Sequence, residues 1–250
     1  MAFSFARIVS ELGKNGISIP VFVKPVTGST NNDAKELAQT CRGDFIVAAD
    51  CQTGGKGTHG RRFFSPDRTG FYLSAAMDGL DPRAPVVLAA AVAAVRMIDE
   101  VCGKKTVIKW VNDILYDGRK AAGILCERSG SGTVIVGIGI NLKEPEGGFP
   151  EEIRNTASAL DVPPELADRM AAVFYSELSG LLRGGEDVCG EYRKHCLTIG
   201  SRVRFEMDGT VFIGCAEDMR DDGALIVRLP DSTVKELTSG WTSVTPLDLE

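Results

Sequence analysis

Four short apolar runs separated by turn sequences fill the middle of this chain, and they restrict its fold more than any other feature. The runs are Thr106–Val111, Ile114–Tyr116, Ala121–Glu127 and Thr133–Ile140. Asp117-Gly118 and the stretch Ser129–Gly132 supply turns between them, and such sequences favour tight hairpins between antiparallel strands. The pattern therefore predicts an antiparallel meander.

Other predicted elements surround the meander. Strands are predicted at Val21–Val26, Phe45–Ala49 and Gly70–Met77, and helices at residues 4–13, Ala34–Thr40, Pro85–Val101, Pro163 to about Leu182, and Asp187–Cys196. The Pro85–Val101 helix is apolar almost all round, which is typical of a helix buried in a core. The fold class that follows is α+β, with a mixed, mainly antiparallel sheet flanked by helices.

The sequence changes character after residue 197. Short alternating segments are separated by turn pairs such as Asp208-Gly209, and the segments are Arg202–Glu206, Val211–Ala216, Ala224–Arg228, Thr233–Leu237 and Thr242–Val244. Short strands with tight turns indicate a small β-barrel. We therefore expect two domains, residues 1–197 and residues 198–250.

Composition excludes several classes of protein. Lys plus Arg number 28 against 34 Asp plus Glu, a formal charge of −6, which argues against a general nucleic-acid binder. The seven cysteines are odd in number and form no C-x-x-C, and with two histidines they do not indicate a zinc site. Unpaired thiols of this kind are typical of a reduced, cytoplasmic protein. The N-terminus does not resemble a signal peptide, and no apolar run of about 20 residues predicts a membrane span.

A glycine-rich basic loop lies at Cys51–Pro66. Its glycines alternate with cationic residues, in the order Gly54, Gly55, Lys56, Gly57, His59, Gly60, Arg61 and Arg62. Bare backbone N–H groups and cations in such a loop can surround a phosphate. The loop matches neither of the two common nucleotide fingerprints, so an ordinary exposed loop is the alternative.

Three further segments carry chemistry-bearing residues. Lys109–Asp113 reads Lys-Trp-Val-Asn-Asp, which by itself also suits a turn beside a core tryptophan. Lys120 begins an apolar strand, where a buried lysine is costly unless it meets an anion. Gly137 and Gly139 share one face of the next strand, and glycines within a strand often mark the close approach of a ligand.

Together these segments resemble the biotin–protein ligases. The matching pieces lie between Ser29 and Asn141, and they are Ser29-Thr-Asn31, Gln52 with the Gly55–Gly60 loop, Lys109-Trp-x-Asn-Asp113, Lys120-x-Ala-Gly-Ile124 and Gly137-x-Gly-Ile-Asn141. The resemblance implies a class II synthetase-like catalytic domain followed by an SH3-like barrel. It also implies that biotin reacts with ATP to give biotinyl-5′-AMP, and that a lysine of a biotin carboxyl carrier domain then takes the biotinyl group.

The resemblance assigns roles position by position. The catalytic group would be Lys120, Asp113 and Lys56, and the biotin pocket would comprise Ser29, Thr30, Asn31, Gln52, Lys120, Gly137 and Gly139. ATP and the adenylate would meet Gly55, Lys56, Gly57, Thr58, His59, Gly60, Arg61, Phe63, Asn112 and Asn141. Asp113 would orient or deprotonate the acceptor lysine or help hold Mg²⁺, and these roles stay open. Asn141 suits a strand-end turn equally well.

The chain departs from the family pattern at four positions. The family loop reads G-R-G-R-x-G, whereas Lys56 and Thr58 stand at its two arginine positions. Lysine lacks the bidentate fork of arginine, and threonine lacks the charge, so a weaker hold on the adenylate is expected. Phe63 replaces the usual tryptophan, and Val111 replaces the usual proline before Asn112.

Three alternatives accompany this interpretation. A lipoate or octanoate ligase or transferase shares the implied fold, but Gln52 and the Ser29–Asn31 segment favour a ring with hydrogen-bond partners. A biotin-sensing repressor with ligase activity is opposed by the acidic charge, so DNA is not an expected partner. A non-catalytic nucleotide-binding module would make no use of Lys120 and Asp113. Homodimer formation and the identity of the carboxylase stay open.

Overall fold

Seven strands form the first and larger sheet of the protein. A computed structural model describes residues 3–238 and 244–249, apart from the side chain of His59. The strands are β1 Val21–Thr27, β2 Phe45–Gln52, β3 Gly70–Met77, β4 Val107–Lys109, β5 Asp113–Tyr116, β6 Arg119–Arg128 and β7 Val134–Asn141. Their order is β1-β2-β3-β7-β6-β5-β4, and only β1 and β2 pair in parallel. The predicted mixed, mainly antiparallel sheet is confirmed.

Five α-helices accompany the sheet in the described part of the chain. They are α1 Phe5–Lys14, α2 Thr30–Leu37, α3 Val86–Cys102, α4 Ala167–Arg183 and α5 Val188–His195. The predicted helix Pro85–Val101 is confirmed as α3, and Gly103 ends it with φ of 63°, a left-handed conformation that glycine adopts without strain. None of the helices described here is long and apolar enough to cross a membrane.

Helix α2 differs from its predicted range, Ala34–Thr40. It begins at Thr30, with Ser29 as an extended N-cap residue, and ends at Leu37. Polar residues such as Thr and Asn favour caps and turns when considered alone, so the prediction started the helix too late. In the folded protein Asp33 has tertiary partners, since Thr27 Oγ1 donates to it at 2.6 Å and Lys24 Nζ lies 3.0 Å away.

Each face of the large sheet packs on its own set of apolar side chains. Along β2, Ile46 and Ala48 belong to the larger cluster, which includes α3 and α4, whereas Phe45 and Val47 belong to the smaller cluster with α2. Successive side chains of a strand point to opposite faces, so β2 is buried on both sides. The short helix α2 covers only part of its face, and the rest of that face is free to hold a site.

Helix α1 is anchored to α4 through one buried carboxylate. Asp168 is 3% exposed, and it accepts hydrogen bonds from the backbone N–H of Ser4 at 2.7 Å and from Arg7 Nε at 2.5 Å. We expect Asp168→Ala to lower the free energy of unfolding by about 2 kcal/mol, because a half-buried backbone N–H and the Arg7 guanidinium lose a charged partner. Urea unfolding measures this loss. Glu11→Ala, which removes the exposed pair with Lys14, is the control and should cost less than about 0.5 kcal/mol.

The meander is confirmed, but its first strand is shorter than predicted. β4 ends at Lys109 rather than Val111, because Trp110 turns away to bond with other parts of the chain. Its backbone N–H donates to Thr198 Oγ1 at 2.9 Å, and its indole N–H donates to the carbonyl of Gly223 at 3.0 Å. The Trp110–Val111 peptide bond is cis. Through its hydrogen bonds to Thr198 and Gly223, Trp110 connects the large sheet to the C-terminal part of the chain.

A second, antiparallel sheet follows α5. Its strands are β8 Arg202–Met207, β9 Thr210–Met219, β10 Leu225–Arg228, β11 Val234–Leu237 and β12 Val244–Pro246. The order is β11-β10-β9-β8-β12, and every pair is antiparallel. The predicted run of short C-terminal strands is confirmed, while Thr242 and Ser243 of the last predicted strand lie outside the described residues.

Candidate active site

A pocket opens on the α2 face of the large sheet, where the glycine loop, the start of α2 and strands β6 and β7 meet. It gathers many of the residues that the sequence suggested: Ser29, Thr30, Asn31, Gln52, Lys56, Gly57, Thr58, Phe63, Asn112, Lys120, Gly137 and Gly139. Gly123, Ile124, Leu125 and Ile138 complete its lining. Segments that are more than a hundred residues apart in sequence therefore form one site.

Other suggested residues lie beside the pocket rather than in its wall. A Cβ on Gly55 would stand 2.5 Å from the carbonyl oxygen of Phe63, so this glycine lets the two arms of the loop approach each other. Gly60 has φ of 72° in the same loop. Arg61 Nε donates to the carbonyl of Thr58 at 3.4 Å. The His59 side chain lies outside the described part of the structure.

Asn141 has a partner away from the pocket. Its side chain is buried, and Nδ2 donates to the carbonyl of Ser158 at 2.9 Å. The position agrees with the strand-end alternative, in which this asparagine ties β7 to the following segment. Asn112 does line the pocket, but its Nδ2 donates to the carbonyl of Ile124 at 2.7 Å, so it also braces the start of the hairpin.

One wall of the pocket is a set of fixed hydrogen-bonding groups. Gln52 Oε1 accepts from the backbone N–H of Thr30 at 2.9 Å and lies 3.1 Å from Thr30 Oγ1, while its Nε2 donates to Ser65 Oγ at 3.0 Å. Each amide atom of Gln52 therefore has a partner that fixes its orientation. A wall of this kind suits a ligand with defined donors and acceptors.

Bare backbone forms the floor. A Cβ on Gly137 would stand 2.1 Å from Asn31 Oδ1, and a Cβ on Gly139 would stand 2.5 Å from Cε1 of Phe63. Both distances are too short for a real side chain, so neither position accepts one without displacing its neighbour. Their alternation on β7 lets the Asn31 side chain and the Phe63 ring lie directly against the strand at the pocket.

A lysine and a carboxylate meet at the edge of the pocket. Lys120 Nζ lies 2.5 Å from Asp113 Oδ1, with the two side chains 39% and 25% exposed. The backbone of Lys120 is fixed on both sides, because its backbone N–H donates to the carbonyl of Thr156 and its carbonyl accepts from the backbone N–H of Ser158. Gly123 leaves the space for it, since a Cβ there would stand 3.2 Å from Nζ. The expectation that Lys120 meets an anion is thus satisfied within the protein.

Lys109 adds a second cation nearby. It pairs with Asp113 in the register of β4 and β5. Burial lowers the pKa of the Lys109 ammonium below its usual value, and the charge of Asp113 offsets this only in part. Asp113 is therefore placed between two lysines, so the edge of the pocket favours an anionic ligand.

Sequence reasoning missed the polar residues behind the wall. Ser74 Oγ lies 2.6 Å from Asn31 Oδ1, and Glu127 Oε2 accepts from Asn31 Nδ2 at 2.9 Å. Lys56 Nζ donates to Asn32 Oδ1 at 2.8 Å. A signal existed for Ser74, which is the one polar residue between Gly70 and Met77. Glu127 gave no comparable signal, because a charge near the end of a strand is ordinary.

Comparison with known proteins agrees with this geometry. The family described as "Biotin/lipoate A/B protein ligase family" matches residues 23–142, and "Biotin protein ligase C terminal domain" matches residues 198–241. The biotin–[acetyl-CoA-carboxylase] ligase of Mycobacterium tuberculosis is 34% identical over 229 residues, which cover 83% of each chain. The bifunctional ligase/repressor BirA of Bacillus subtilis is 31% identical over 226 residues, or 84% of this chain and 70% of BirA.

A solved structure shows the same fold. The biotin protein ligase from Aquifex aeolicus in complex with biotin and ATP superposes with a TM-score of 0.75 at 23% identity, covering 91% of this chain and 99% of that one. At that identity the likeness establishes the fold, while the closer sequence relatives establish descent. The chain belongs to the biotin–protein ligase family.

Proposed function

We propose that this protein activates biotin with ATP and transfers the biotinyl group to a lysine of a biotin carboxyl carrier domain. The observation that carries this proposal is a pocket with a polar wall, a glycine floor and the Lys120–Asp113 pair at its edge. Its relatives of known activity include biotin–[acetyl-CoA-carboxylase] ligases. The polar wall holds the ureido ring, and the lysine edge holds the reacting carboxylate.

The first step joins biotin to AMP. A carboxylate oxygen of biotin attacks the α-phosphorus of ATP, the bond between the α-phosphorus and its bridging oxygen breaks, and pyrophosphate leaves. Lys120 lies where negative charge gathers, and a fixed cation stabilises that charge more in the transition state than in the substrates. Lys56 and the loop amides around Gly57 are placed to contact the phosphate.

The second step transfers the biotinyl group. The ε-amine of the acceptor lysine attacks the carbonyl carbon of the mixed anhydride, and AMP leaves with the bonding electrons. This amine has an ordinary pKa of about 10.4, so it must lose a proton before attack. Asp113 Oδ1 contacts Lys120, and we assign the Asp113 carboxylate the task of accepting that proton from the incoming amine as the amide bond forms.

Magnesium enters with the nucleotide in this proposal. Among the described residues no cluster of three or more His, Cys, Asp or Glu side chains could hold a metal ion, and Asp113 is a carboxylate at the edge of the pocket. One carboxylate suits Mg²⁺, which is usually held by one or two carboxylates together with substrate phosphates and water. In this proposal Mg²⁺ therefore reaches the pocket bound to ATP, as part of the MgATP substrate.

Further proposals concern the domain boundary, the cellular location and the protein partner of the enzyme. Two separate sheets support a domain boundary near residue 197, with residues 1–197 catalytic. Its seven cysteines, all free, support a reducing, cytoplasmic location. A carrier domain of a biotin-dependent carboxylase is the proposed protein partner.

Biotin-dependent exchange of labelled pyrophosphate into ATP tests the proposed function. Purified protein with MgATP should catalyse exchange with biotin and should not do so with lipoate or octanoate at equal concentration. The polar wall of Gln52 and Thr30 gives the reason, because its remaining lone pairs and the second N–H of Gln52 Nε2 can pair with a ureido ring, whereas an acyl chain offers them no partner. Exchange with lipoate alone would assign the chain to the acyl ligases instead, and no exchange with any of the three acids would refute the proposal.

Thr58 provides a prediction about the reactive intermediate. It lines the pocket without a charge, at a position where the family loop has an arginine, so it gives the adenylate no charge-assisted hydrogen bond. Thr58→Arg should slow the release of biotinyl-AMP into solution by about tenfold, since a charge-assisted hydrogen bond is worth about 1.5 kcal/mol. Thr210→Arg, in the second sheet, controls for added charge. Equal release from Thr58→Arg and the unmodified protein would contradict the prediction.

A further inference from the structure

A chain of polar side chains runs behind the pocket wall and ends at Asn31. Lys35 Nζ donates to Glu127 Oε1 at 2.7 Å, and Asn31 Nδ2 donates to Glu127 Oε2 at 2.9 Å. Ser74 Oγ, which is fully buried, lies 2.6 Å from Asn31 Oδ1. Lys35 and Glu127 are 27% and 25% exposed, so their ion pair is partly shielded from solvent. Of these four residues, only Asn31 lines the pocket itself, where it lies beside Gly137.

The partners of Asn31 determine which way its carboxamide faces. Nδ2 has two hydrogens, and it donates to Glu127 Oε2 and to the carbonyl of Leu125 at 3.2 Å. Both partners are acceptors, so the reversed amide would bring Oδ1 against two oxygens. Oδ1 therefore faces Ser74 and the Gly137 side of the pocket. It retains a lone pair there, since Ser74 has only one hydroxyl hydrogen to donate.

Glu127 is able to hold this orientation because it is ionised. Burial raises the pKa of its carboxyl, but the hydrogen bonds from Lys35 and Asn31 outweigh burial and bring the pKa below its usual value. An ionised carboxylate accepts on both oxygens, whereas a protonated one could offer a hydrogen to Asn31 and favour the reversed amide.

We propose that Glu127, paired with Lys35, is a positioning residue that locks the Asn31 carboxamide so that Oδ1 accepts an N–H of the ureido ring. This inference rests on the proposed function. A ureido ring carries two N–H donors, which an acyl chain or a dithiolane lacks. With the amide reversed, Nδ2 would face a ring N–H. Both groups are donors, so neither would have a hydrogen-bond acceptor once the ligand excludes water. Glu127 thus acts on substrate choice without touching the substrate.

Glu127→Gln is the sharpest test, because it keeps the shape of the side chain. The ammonium of Lys35 attracts the glutamine oxygen, which leaves the glutamine NH₂ facing Asn31 Nδ2, and Asn31 then turns over. The biotin KM should rise about tenfold, the effect of one misplaced buried hydrogen bond. The ATP KM and kcat at saturating biotin should change less than about twofold, because the reacting groups are untouched.

Replacing Lys35 in addition to Glu127 should reverse the rise in the biotin KM. In the Lys35→Met/Glu127→Gln protein nothing attracts the glutamine oxygen away, so it can accept from Asn31 and restore the biotin KM to within about threefold of the unmodified protein. Lys35→Met alone keeps the carboxylate and should change the KM less than about twofold. Glu11→Gln, in the exposed pair with Lys14, is the matched control.

A second pair of substitutions covers poor folding of Glu127→Gln, which its thermal unfolding midpoint would reveal. In Asn31→Asp/Glu127→Gln the glutamine NH₂ donates to one aspartate oxygen, and the other oxygen still faces the pocket as an acceptor. One aspartate oxygen then stands beside the carbonyl of Leu125, to which the asparagine had donated, so full affinity is not expected. The biotin KM should still fall at least about threefold below that of Glu127→Gln, and no such gain would overturn the inference.

Two other results would also overturn it: an unchanged biotin KM in Glu127→Gln, or no recovery when Lys35→Met is added. These outcomes differ from a failure of the proposed function. In that case the unmodified protein itself would show no biotin-dependent pyrophosphate exchange, whatever residue stands at position 127.

Discussion

Lys120→Met should reduce kcat for biotinyl-AMP formation by a factor of about 10² to 10³, the usual effect of removing one fixed electrostatic group from a transition state. Lys120 Nζ stands at the edge of the pocket, 2.5 Å from Asp113 Oδ1. Methionine keeps most of the length and the apolar stem but loses the charge. The pyrophosphate exchange rate at saturating biotin and MgATP measures the effect.

The reason for a large effect lies in how the ammonium is held. Both backbone groups of Lys120 bond to the segment around Thr156 and Ser158, and the open space at Gly123 directs the side chain along one path. A preorganised cation does not need to reorganise as charge develops on the phosphate. A mobile lysine would contribute much less.

Lys105→Met is the matched control. Lys105 Nζ also lies 2.5 Å from a carboxylate oxygen, that of Asp99, but the lysine is 85% exposed and is not one of the residues that line the pocket. Its replacement should leave the exchange rate within about twofold, as expected for a surface ion pair. If both variants lost activity equally, or if neither did, the role assigned to Lys120 would be wrong.

Much of the fold could be predicted because its signals are local. The turn pair Asp117-Gly118 and the apolar run Ala121–Glu127 depend on neighbouring residues only, and the structure contains the hairpin that they indicate. The start of α2 could not be predicted in the same way. It depends on Thr27 and Lys24 reaching Asp33 across the end of β1, which no local pattern reveals.

The residues of the candidate site also differ in how far the sequence alone reveals them. The glycine loop, Lys120 and the paired glycines Gly137 and Gly139 stand out as residue types that are unusual in their surroundings. Glu127 is an ordinary residue near the end of a strand, and Ser74 is marked only as a polar residue in an apolar strand. Both become neighbours of Asn31 only when β3, β7 and β6 pair beneath α2. Residues that support a site from behind are therefore the part that sequence patterns reveal least.

Gly137→Ala should weaken biotin binding about a hundredfold, or close to 3 kcal/mol. The added Cβ would stand 2.1 Å from Asn31 Oδ1, and the amide cannot retreat, because Glu127 and Leu125 hold its nitrogen and Ser74 lies against its oxygen. Displacing Asn31 breaks these bonds and fills the floor of the pocket. Isothermal titration with biotin, without ATP, measures the loss directly.

A second substitution separates filling of the pocket from general damage to the fold. Asn31→Ala/Gly137→Ala removes the atom that the new methyl group strikes, so the free energy of unfolding should recover while biotin affinity stays low, since the amide acceptor is also gone. Gly130→Ala is the control, because no heavy atom lies within 4 Å of a Cβ there, and it should bind biotin normally. Affinity within about threefold of the unmodified protein in Gly137→Ala would show that biotin does not lie against β7, and the binding mode argued from the glycine floor would have to be abandoned.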